Sequence, residues 1–535
     1  MEVFIMKRFL AVLLTAVLML PCLVVGAAAD GEVREITVFF KNELPWDNMV
    51  AEAITRITGV KLSFVPVAGD AAEKLNTMLQ SDTLPDIIAI DRGAAANDNY
   101  IANGAVIPLD DLIEQYAPNI KAQLGGTLDK VRNLNDGKVY GLPSWFQDEV
   151  APSAVFGFNL RMNYVKELGY YDTYVEQGYF TKDQFVSLLK EWKAKYPEIN
   201  GHKTIPLCFN ADNESATMYT FRGMYGIDQY YVDENGSLFS NIRDPHSKDM
   251  YLFMNELYRD GLIDIDWPSC KKALFDEKCS GGYVLGAPEA YWNIANTALQ
   301  YDAEGNKNDD NMMYPFMVVA DGVDPAKTTY GPTSVLGWTY TYISADCKDP
   351  IATIKFMDWL MSEEGQYVTQ WGPEGVTWNY VDGKRVLTDE TIDALNADFW
   401  NFLTENGIRK YELLFKSGIA QDGQYYDLNS AFPIITGSQN VVAAFANKYL
   451  GVSAYDTTSM DNLSPDSGSM EALISTKTGD IRNAAFPMIL MAESEEEAAK
   501  LFDQMLADCE AAGLSQVEAI ANEKYQAKMS IWNEE

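Results

Sequence analysis

The segment from residue 35 to residue 90 constrains the fold most, because strand and helix patterns alternate along it. Short runs of β-branched and aromatic residues at 35–40, 61–65 and 87–90 predict three strands. The segments 47–57 and 70–81 between them carry apolar residues at helical spacing. The third run is apolar throughout, which is typical of a strand buried in a parallel sheet. This order predicts an α/β fold with right-handed crossovers and a doubly wound sheet.

Further along the chain, local signals predict more elements of the same kind. Thr181 and Gln184 form a capping-box pattern, and Asp349 precedes a proline where a helix would begin. Asp382-Gly383 separates two short β-type runs and predicts a hairpin turn. With 535 residues, 47% of them hydrophobic, the chain has material for two to four domain-sized units.

The charge balance excludes several classes of function. There are 41 Lys and Arg against 77 Asp and Glu, a net charge of −36, which disfavours a nucleic-acid partner. The two histidines, His202 and His246, are too far apart for an HExxH zinc helix. GxGxxG, P-loop and GxSxG motifs are missing. We expect no enzymatic activity, no cofactor and no metal ion, although a glycosidase that uses two of the many carboxylates stays open as an alternative.

The N-terminus predicts export. Lys7 and Arg8 precede an apolar run at 9–25 and a small-residue site ending at Ala29. Residues 1–29 are predicted to be a cleaved signal peptide, which places the protein in the periplasm or at the cell surface. A transmembrane anchor is the alternative, although the run is at the lower length limit for one. Pro21 makes a poor lipobox, so a lipid anchor on Cys22 is not expected.

Five cysteines remain after this predicted cleavage. The number is odd and there is no CxxC pair, so neither a disulfide framework nor a zinc ribbon is indicated. Cys270 and Cys279 are close enough in sequence for a disulfide, and this possibility stays open. The acidic loop at 302–311 lacks EF-hand spacing, so the sequence does not favour a calcium site there.

Aromatic residues are more informative about the ligand than the many carboxylates are. Several fall in predicted loops or at strand ends, where a role in core packing is only one of two readings; they are Trp46, Trp145, Tyr291, Trp292, Trp338 and Tyr340. Flat rings stack on the apolar C–H face of a sugar, while acids, amides and arginines take its hydroxyl groups. This pattern favours a carbohydrate ligand.

A series of short motifs, in this order, carries a family resemblance. They are Leu-Pro-Asp-Ile-Ile at 84–88, Asn-Gly-Ala-Val-Ile-Pro-Leu-Asp-Asp-Leu-Ile at 103–113, Asp-Gly-Lys-Val-Tyr-Gly-Leu-Pro at 136–143, the helix entry at 159–169 with 181–183, the segment 258–263, and Met-Ser-Glu-Glu-Gly at 361–365. The chain resembles the extracellular solute-binding proteins of bacterial ABC importers, in particular the large carbohydrate-binding branch of solute-binding protein family 1. Asn163 stands where the family has an aspartate.

The resemblance covers nearly the whole chain after residue 35 and implies an architecture. It implies the α/β fold of type II periplasmic binding proteins, with two lobes joined by a hinge and a ligand cleft between them. The expected division assigns 30–155 and 321–388 to the N-lobe, and 156–320 and 389–535 to the C-lobe, the last part being mostly helical. The chain would cross between lobes near 150–158, 315–325 and 385–395.

The same resemblance selects candidate site residues. Ligands of open α/β sheets bind at the carboxyl ends of strands, which points to the loops 42–46, 91–93, 144–147, 289–293 and 337–340. Arg222 is a further candidate, whereas Arg161 is expected to anchor the lobe. The candidate ligand-binding residues are Glu43, Trp46, Asp91, Arg92, Trp145, Arg222, Trp292, Trp338 and Tyr340.

The resemblance implies a function in binding. The protein would capture a carbohydrate, expected to be an oligosaccharide, by closing its lobes. It would then deliver the sugar, as a monomer, to the transmembrane subunits of an ABC permease. Two alternatives stay open: a binder of a peptide or lipid-like solute, and a secreted hydrolase or lyase acting on glycans.

Overall fold

The computed structural model describes residues 33–41, 44–67, 69, 71–81, 83–93, 96–149, 154–301, 305–436, 440–466 and 468–532. The predicted signal peptide, Cys22 and Glu43 lie outside the described residues.

The strands are numbered in chain order. They are β1 Arg34–Phe39, β2 Val60–Phe64, β3 Ile87–Asp91, β4 Gly141–Ser144, β5 Phe156–Arg161, β6 Phe180–Thr181, β7 Glu198–Ile199, β8 His202–Lys203, β9 Ile205–Leu207, β10 Tyr230–Val232, β11 Leu238–Ser240, β12 Val284–Ala290, β13 Met313–Phe316, β14 Val318–Val319, β15 Gly331–Thr333, β16 Thr339–Ile343, β17 Trp378–Val381, β18 Lys384–Leu387 and β19 Ala454–Asp456.

The α-helices are numbered in the same way. They are α1 Met49–Thr58, α2 Ala71–Ser81, α3 Ala96–Ala102, α4 Asp110–Tyr116, α5 Pro118–Leu124, α6 Thr127–Lys130, α7 Met162–Glu167, α8 Tyr170–Gln177, α9 Lys182–Lys195, α10 Glu214–Tyr225, α11 Ser247–Arg259, α12 Lys272–Ser280, α13 Asn296–Leu299, α14 Pro350–Leu360, α15 Glu363–Trp371, α16 Asp389–Ala397, α17 Phe399–Asn406, α18 Leu428–Thr436, α19 Val441–Leu450, α20 Met470–Leu490, α21 Glu495–Ala512 and α22 Leu514–Trp532.

The first sheet contains the predicted βαβαβ unit. Its strand order is β2-β1-β3-β16-β4, in which β1 pairs parallel with both β2 and β3. Strand β16 comes from much later in the chain and lies antiparallel between β3 and β4. The first sheet is therefore built from two separated pieces of chain, so the chain must leave this sheet and return to it.

The second sheet has the order β13-β5-β12-β9. Strand β12 is antiparallel to β5 and parallel to β9, and β13 is antiparallel to β5. Helices pack on both sheets and enclose two large hydrophobic cores, one around each sheet. The prediction of an α/β fold with two sheet-centred units is confirmed.

Local sequence signals account for several element boundaries. Thr181 accepts a hydrogen bond from the Gln184 amide while the Gln184 side chain accepts one from the Thr181 amide, so the predicted capping box is present. Asp349 caps α14 as predicted. Asp382 and Gly383 have φ angles of 51° and 78°, as the predicted turn between β17 and β18 requires.

Three segments connect the two cores. The first joins β4 to β5, the second joins β14 to β16 through β15, and the third joins α18 to α19. Strand β15 pairs parallel with β19, and Gly331 in β15 lies so close to Ala154 and Ala454 that a Cβ there would be about 3 Å from both Cα atoms. The chain is therefore closely packed where β15, β19 and Ala154 meet.

This packing differs from the division expected from sequence. Residues from Leu395 to Phe432 pack in the core around the first sheet, and residues from Val442 onward pack around the second. From this packing we propose a third crossing between Thr436 and Asn440 in place of 385–395, and a second crossing around 331–335 in place of 315–325. The helices within 389–436 have apolar faces that could pack against either core. Their sequence therefore did not show to which lobe they belong.

Candidate functional site

The carboxyl ends of β3 and β4 in the first sheet, and of β12 in the second, lie near the crossing segments, where the antiparallel strands β16 and β5 begin. Strand β4 ends at Ser144 and β5 begins at Phe156 on the other sheet. Strand β12 runs antiparallel to β5, so its last residue, Ala290, lies opposite Phe156. The place where ligands bind in open α/β sheets is therefore the space flanked by both sheets beside these segments.

Two stacked tryptophans mark this edge of the first sheet. The rings of Trp145 and Trp338 lie 5.2 Å apart and 20° from parallel. Phe415 contacts the Trp145 ring edge-on at 5.0 Å. Trp145 is only 6% exposed, whereas Trp338 is 52% exposed and presents a free ring surface. Trp145 and Phe415 therefore form a base on which Trp338 is held outward.

The backbone is shaped to hold this stack. Trp145 has a φ of 65°, a left-handed conformation that is rare for a bulky residue and is found at functional sites. The neighbouring turn passes so close that a Cβ on Gly337 would lie 2.1 Å from the Ser144 carbonyl oxygen. Only glycine fits there, and its φ of 63° also favours glycine.

A half-buried carboxyl group lies beneath the stack. Trp145 Nε1 donates to Glu412 Oε2 at 2.7 Å. Burial raises the pKa of Glu412, because the charged form is separated from water there. Arg409 lies over the Trp145 ring at 5.1 Å and over the exposed ring of Trp400 at 5.7 Å. Trp400, 58% exposed, therefore extends the same aromatic surface.

The charged candidates Asp91 and Arg92 already have protein partners. Lys41 Nζ lies 3.0 Å from Asp91 Oδ1. Arg92 forms an ion pair with Asp461 and donates through Nε to the Gly337 carbonyl at 2.8 Å. Arg92 thereby fixes the turn that carries Trp338, and it links the first sheet to the chain beyond β19.

The second sheet has its own exposed aromatic group, at the carboxyl end of β12. Trp292, directly after β12, is 63% exposed and contacts Tyr291 edge-on at 5.1 Å. Glu289, close by at the end of β12, is fully buried and accepts hydrogen bonds from Asn213 Nδ2 at 2.7 Å and from Asn210 Nδ2 at 3.3 Å. Burial raises the pKa of Glu289 as well.

Arg222 contributes to the same lobe from α10. Its guanidinium lies over Tyr219 at 4.5 Å, and Tyr219 stacks on Phe156 at 4.8 Å. Because Phe156 is the first residue of β5, this stack lies next to the crossing segment.

Two of the predicted site residues are used in packing. Trp46 contacts Tyr411 at 4.9 Å, and its Nε1 donates to Thr55 at 3.1 Å. Tyr340 is 8% exposed, belongs to a separate hydrophobic cluster of the first sheet, and has a pKa raised by burial. Neither presents the exposed ring surface of Trp338 or Trp292.

Sequence reasoning did not select Glu412, Arg409 or Trp400. They lie in a region, 399–415, that contains no strand of either sheet, so the strand-end rule did not reach them. The clustering of aromatic and charged residues there is visible in the sequence, but its position against Trp145 depends on tertiary packing.

Residues 49–373 match the family model of bacterial extracellular solute-binding proteins. The match spans more than half of the chain. The chain belongs to this family. The solute-binding protein resemblance found in the sequence is confirmed, and the family is one of extracellular binding proteins.

Curated relatives of this solute-binding protein include transporter components. This chain is 26% identical over 272 residues to the fructooligosaccharide ABC transporter substrate-binding protein FusA of Streptococcus pneumoniae. The aligned region covers 46% of this chain and 49% of FusA. The chain is 23% identical over 342 residues to lipoprotein LipO of Bacillus subtilis, covering 62% of this chain and 64% of LipO. The chain thus spans about half the length of FusA and less than two thirds of LipO.

Solved structures with the same fold cover nearly the whole chain. The alginate-binding protein AlgQ2 superposes with a TM-score of 0.64 at 22% identity, covering 94% of this chain and 99% of AlgQ2. A solute-binding protein described as HMO-binding, from Bifidobacterium longum infantis, superposes with a TM-score of 0.65 at 16% identity. The superposition covers 93% of this chain and 99% of that protein. FusA in complex with kestose superposes with a TM-score of 0.60 at 18% identity, and the superposition covers 93% of this chain and 100% of FusA. These likenesses confirm the type II periplasmic-binding-protein fold.

This solute-binding protein also has a cavity of about 460 Å³ between the first sheet and the C-terminal helices. Tyr340, Asp461 and Lys528 contribute to its wall, whereas the exposed tryptophans 292, 338 and 400 do not. Lys528 is buried and donates to the Asp461 carbonyl. The nearby charged groups are Asp98, Asp461, Lys524 and Arg92.

The environment of Lys528 predicts a pH dependence of stability. Burial lowers its pKa to about 8, so the folded protein binds a proton there less tightly than the unfolded chain does. The contribution of Lys528 to stability must therefore increase as pH rises from 8 towards 10, by up to about 3 kcal/mol. The midpoint of urea unfolding of the wild type, compared with that of Lys528→Met at pH 7 to 10, measures this increase. Parallel pH profiles for the two proteins would contradict the prediction.

Proposed function

We propose that this protein is the substrate-binding component of an ABC transporter and that its ligand is an uncharged oligosaccharide. The observation that carries the proposal is the pair of exposed tryptophans: Trp338 lies beside the carboxyl ends of β3 and β4, and Trp292 directly follows β12 of the second sheet. Exposed indole rings offer the flat apolar surface on which a sugar ring packs. The relatives named for fructooligosaccharide and alginate binding support a carbohydrate ligand.

The charges around the tryptophans favour a neutral sugar over an acidic one. Arg92 is paired with Asp461, Arg409 with Asp427 and Lys41 with Asp91. Glu412, which is half-buried beside Trp145, forms no ion pair among the described residues. Its carboxyl group can accept a hydrogen bond from a sugar hydroxyl but opposes the carboxylates of a polyuronate.

The proposed mechanism is capture by lobe closure. The first lobe comprises residues 33–149 and about 335–436, and the second comprises 154–330 and 440–532. A sugar seated on Trp338 would be covered by Trp292 when the lobes close about the three crossing segments, and its differential affinity for the closed state would drive closure. The closed monomer would then dock on the membrane subunits of the permease. Among the described residues, no helix has the length and apolar character of a membrane span.

Export through a cleaved signal peptide at residues 1–29, without a lipid anchor on Cys22, is part of the proposal. It agrees with membership of an extracellular family. We also propose that the protein binds its ligand without chemical turnover. A hydrolase or lyase would consume the glycan that stabilises it, and product analysis after incubation would reveal this.

A thermal-shift screen tests the ligand class. Neutral oligosaccharides of two to six residues, polyuronates and short peptides are added to the same protein at matched concentrations. A neutral oligosaccharide is expected to raise the Tm by several degrees, because a ligand at a hundredfold excess over its Kd stabilises by about 2.7 kcal/mol. Polyuronates are expected to leave the Tm unchanged. Stabilisation by a peptide, with none by any glycan, would contradict the proposal.

A further inference from the structure

Three buried cysteines lie together in the second lobe, apart from the tryptophan surfaces. Cys208 directly follows β9, Cys270 follows the short turn Trp267–Ser269, and Cys279 lies in α12. The sulfur atoms of Cys208 and Cys270 are 3.6 Å apart. All three side chains are completely shielded from solvent. The sequence alone suggested only Cys270 and Cys279 as a pair, because Cys208 is distant along the chain.

The backbone holds Cys208 and Cys270 next to each other independently of their sulfur atoms. The Cys208 amide donates to the Gly286 carbonyl at 3.0 Å, which fixes it to β12. The Ala211 amide donates to the Cys270 carbonyl at 2.9 Å, which joins the two segments directly. The sulfurs are therefore brought to contact distance by neighbouring hydrogen bonds. A disulfide has a sulfur–sulfur distance of roughly 2.05 Å, so the two sulfur atoms must approach each other further for the bond to form.

Cys279 is placed differently. Its carbonyl accepts from Arg161 Nη2 at 2.8 Å, and α12 holds its side chain in the same apolar cluster. The Cys279 thiol also interacts with Cys208, but the short sulfur–sulfur contact is the one between Cys208 and Cys270. This makes Cys208 and Cys270 the better-matched pair.

A metal ion is the competing explanation of such a cluster. Cys208, Asp264 and Cys270 could offer three ligand atoms, all within 4.8 Å of one another. Structural zinc sites take four ligands, and Asp264 Oδ2 is already bound by the Lys278 ammonium at 2.6 Å. A metal ion would have to displace this buried cation or lie beside it. The charges therefore favour bonding between the two sulfurs over metal binding.

We propose that Cys208 and Cys270 form a disulfide bond in the exported protein. The family is extracellular, and disulfides form and persist in oxidising compartments. The inference rests on that membership and on the cysteine geometry, not on the proposed carbohydrate ligand.

The bond forms by thiol–disulfide exchange with a small-molecule or protein disulfide as oxidant. The thiolate of one cysteine attacks the oxidant and releases one of its sulfurs as a thiol. The second cysteine then attacks the mixed disulfide and releases the other sulfur. The protein loses two protons and two electrons, and the oxidant's disulfide is reduced to two thiols. Both cysteines are buried in the folded protein, so this exchange takes place before β9 is covered.

The bond would close a loop that carries α10 and α11, and with them Arg222 and Tyr219 beside the crossing segment. Strand β9 pairs with β12, and its last residue, Leu207, also forms backbone hydrogen bonds with Leu262 and Asp264. A covalent link from Cys208 to Cys270 would hold β9 and the segment 262–270 together when the lobe opens locally.

Peptide mapping of the oxidised protein tests the proposal. The chain after residue 29 is folded in a buffer of reduced and oxidised glutathione, denatured without reductant, alkylated with iodoacetamide and digested. The expected product is a Cys208–Cys270 linked peptide, with Cys279, Cys347 and Cys509 alkylated. Five alkylated cysteines, or a link that includes Cys279, would overturn the proposal. So would one equivalent of zinc found by elemental analysis together with five free thiols.

Thermal unfolding provides a second readout. Reductant is expected to lower the Tm of the oxidised wild type by roughly 5 °C, because the cross-link restricts the unfolded chain. Cys279→Ser is the matched control and should keep this sensitivity, whereas Cys208→Ser and Cys270→Ser should lose it. A wild-type Tm unaffected by reductant would argue against the bond. If either serine variant fails to fold, the wild-type peptide map still decides.

Discussion

Replacing Trp338 by alanine is expected to weaken oligosaccharide binding by roughly tenfold to a hundredfold, with little change in the stability of the free protein. Half of the Trp338 side chain is exposed, whereas Trp145 beneath it is buried. Removal of the outer ring deletes the apolar platform but leaves its base in place. Aromatic residues central to a binding site typically contribute 2 kcal/mol or more, and each 1.4 kcal/mol is a factor of ten in Kd.

Isothermal titration calorimetry with the best neutral oligosaccharide measures this loss. Tyr380→Ala is the matched control, because it removes an exposed aromatic ring from the β17–β18 hairpin. The control should bind with wild-type affinity. Equal affinities for Trp338→Ala and the wild type would show that the sugar does not use this surface.

Replacing Asp422 by alanine is expected to lower the free energy of unfolding by about 3–5 kcal/mol, because it leaves an uncompensated buried charge. Arg385 is completely buried and forms two hydrogen bonds to the Asp422 carboxylate, at 2.7 and 3.0 Å. Its guanidinium also lies between the rings of Tyr367 at 3.8 Å and Trp371 at 4.2 Å. These contacts join the β17–β18 hairpin to α15 in the core of the first sheet.

Urea unfolding followed by circular dichroism measures this effect. The double variant Arg385→Met with Asp422→Ala is the control, because it removes the unpaired charge together with its partner. It is expected to recover most of the lost stability. A single variant Asp422→Ala as stable as the wild type would mean that Arg385 finds another partner or access to water.

The parts of the fold that follow from local pattern were predictable. The strands near 35–40, 61–65 and 87–90 follow from runs of β-branched and apolar residues, and the capping box at Thr181 from two residues alone. The third crossing between the lobes was not predictable in this way. Helices α16 to α18 carry apolar faces suited to either core, and only tertiary packing assigns them to the first sheet.

The candidate site shows the same limit. The strand-end rule selected the loops of Trp145, Trp292 and Trp338, because the position of these loops depends on topology. It also selected Tyr340 as part of a loop that follows a strand, whereas Tyr340 lies inside β16 and packs in the hydrophobic cluster beside that strand. Glu412 was missed because its contact with Trp145 joins segments 267 residues apart.

A sugar held between the two lobes contacts both exposed tryptophans. Calorimetric titration of Trp292→Ala with the neutral oligosaccharide that binds the wild type tests this. Trp292 directly follows β12 of the second sheet, and Trp338 directly precedes β16 of the first. We expect at least a tenfold loss of affinity in Trp292→Ala, because a ligand enclosed by both lobes contacts both rings. Wild-type affinity in Trp292→Ala, together with a loss in Trp338→Ala, would place the sugar on one lobe only and would contradict binding between the lobes.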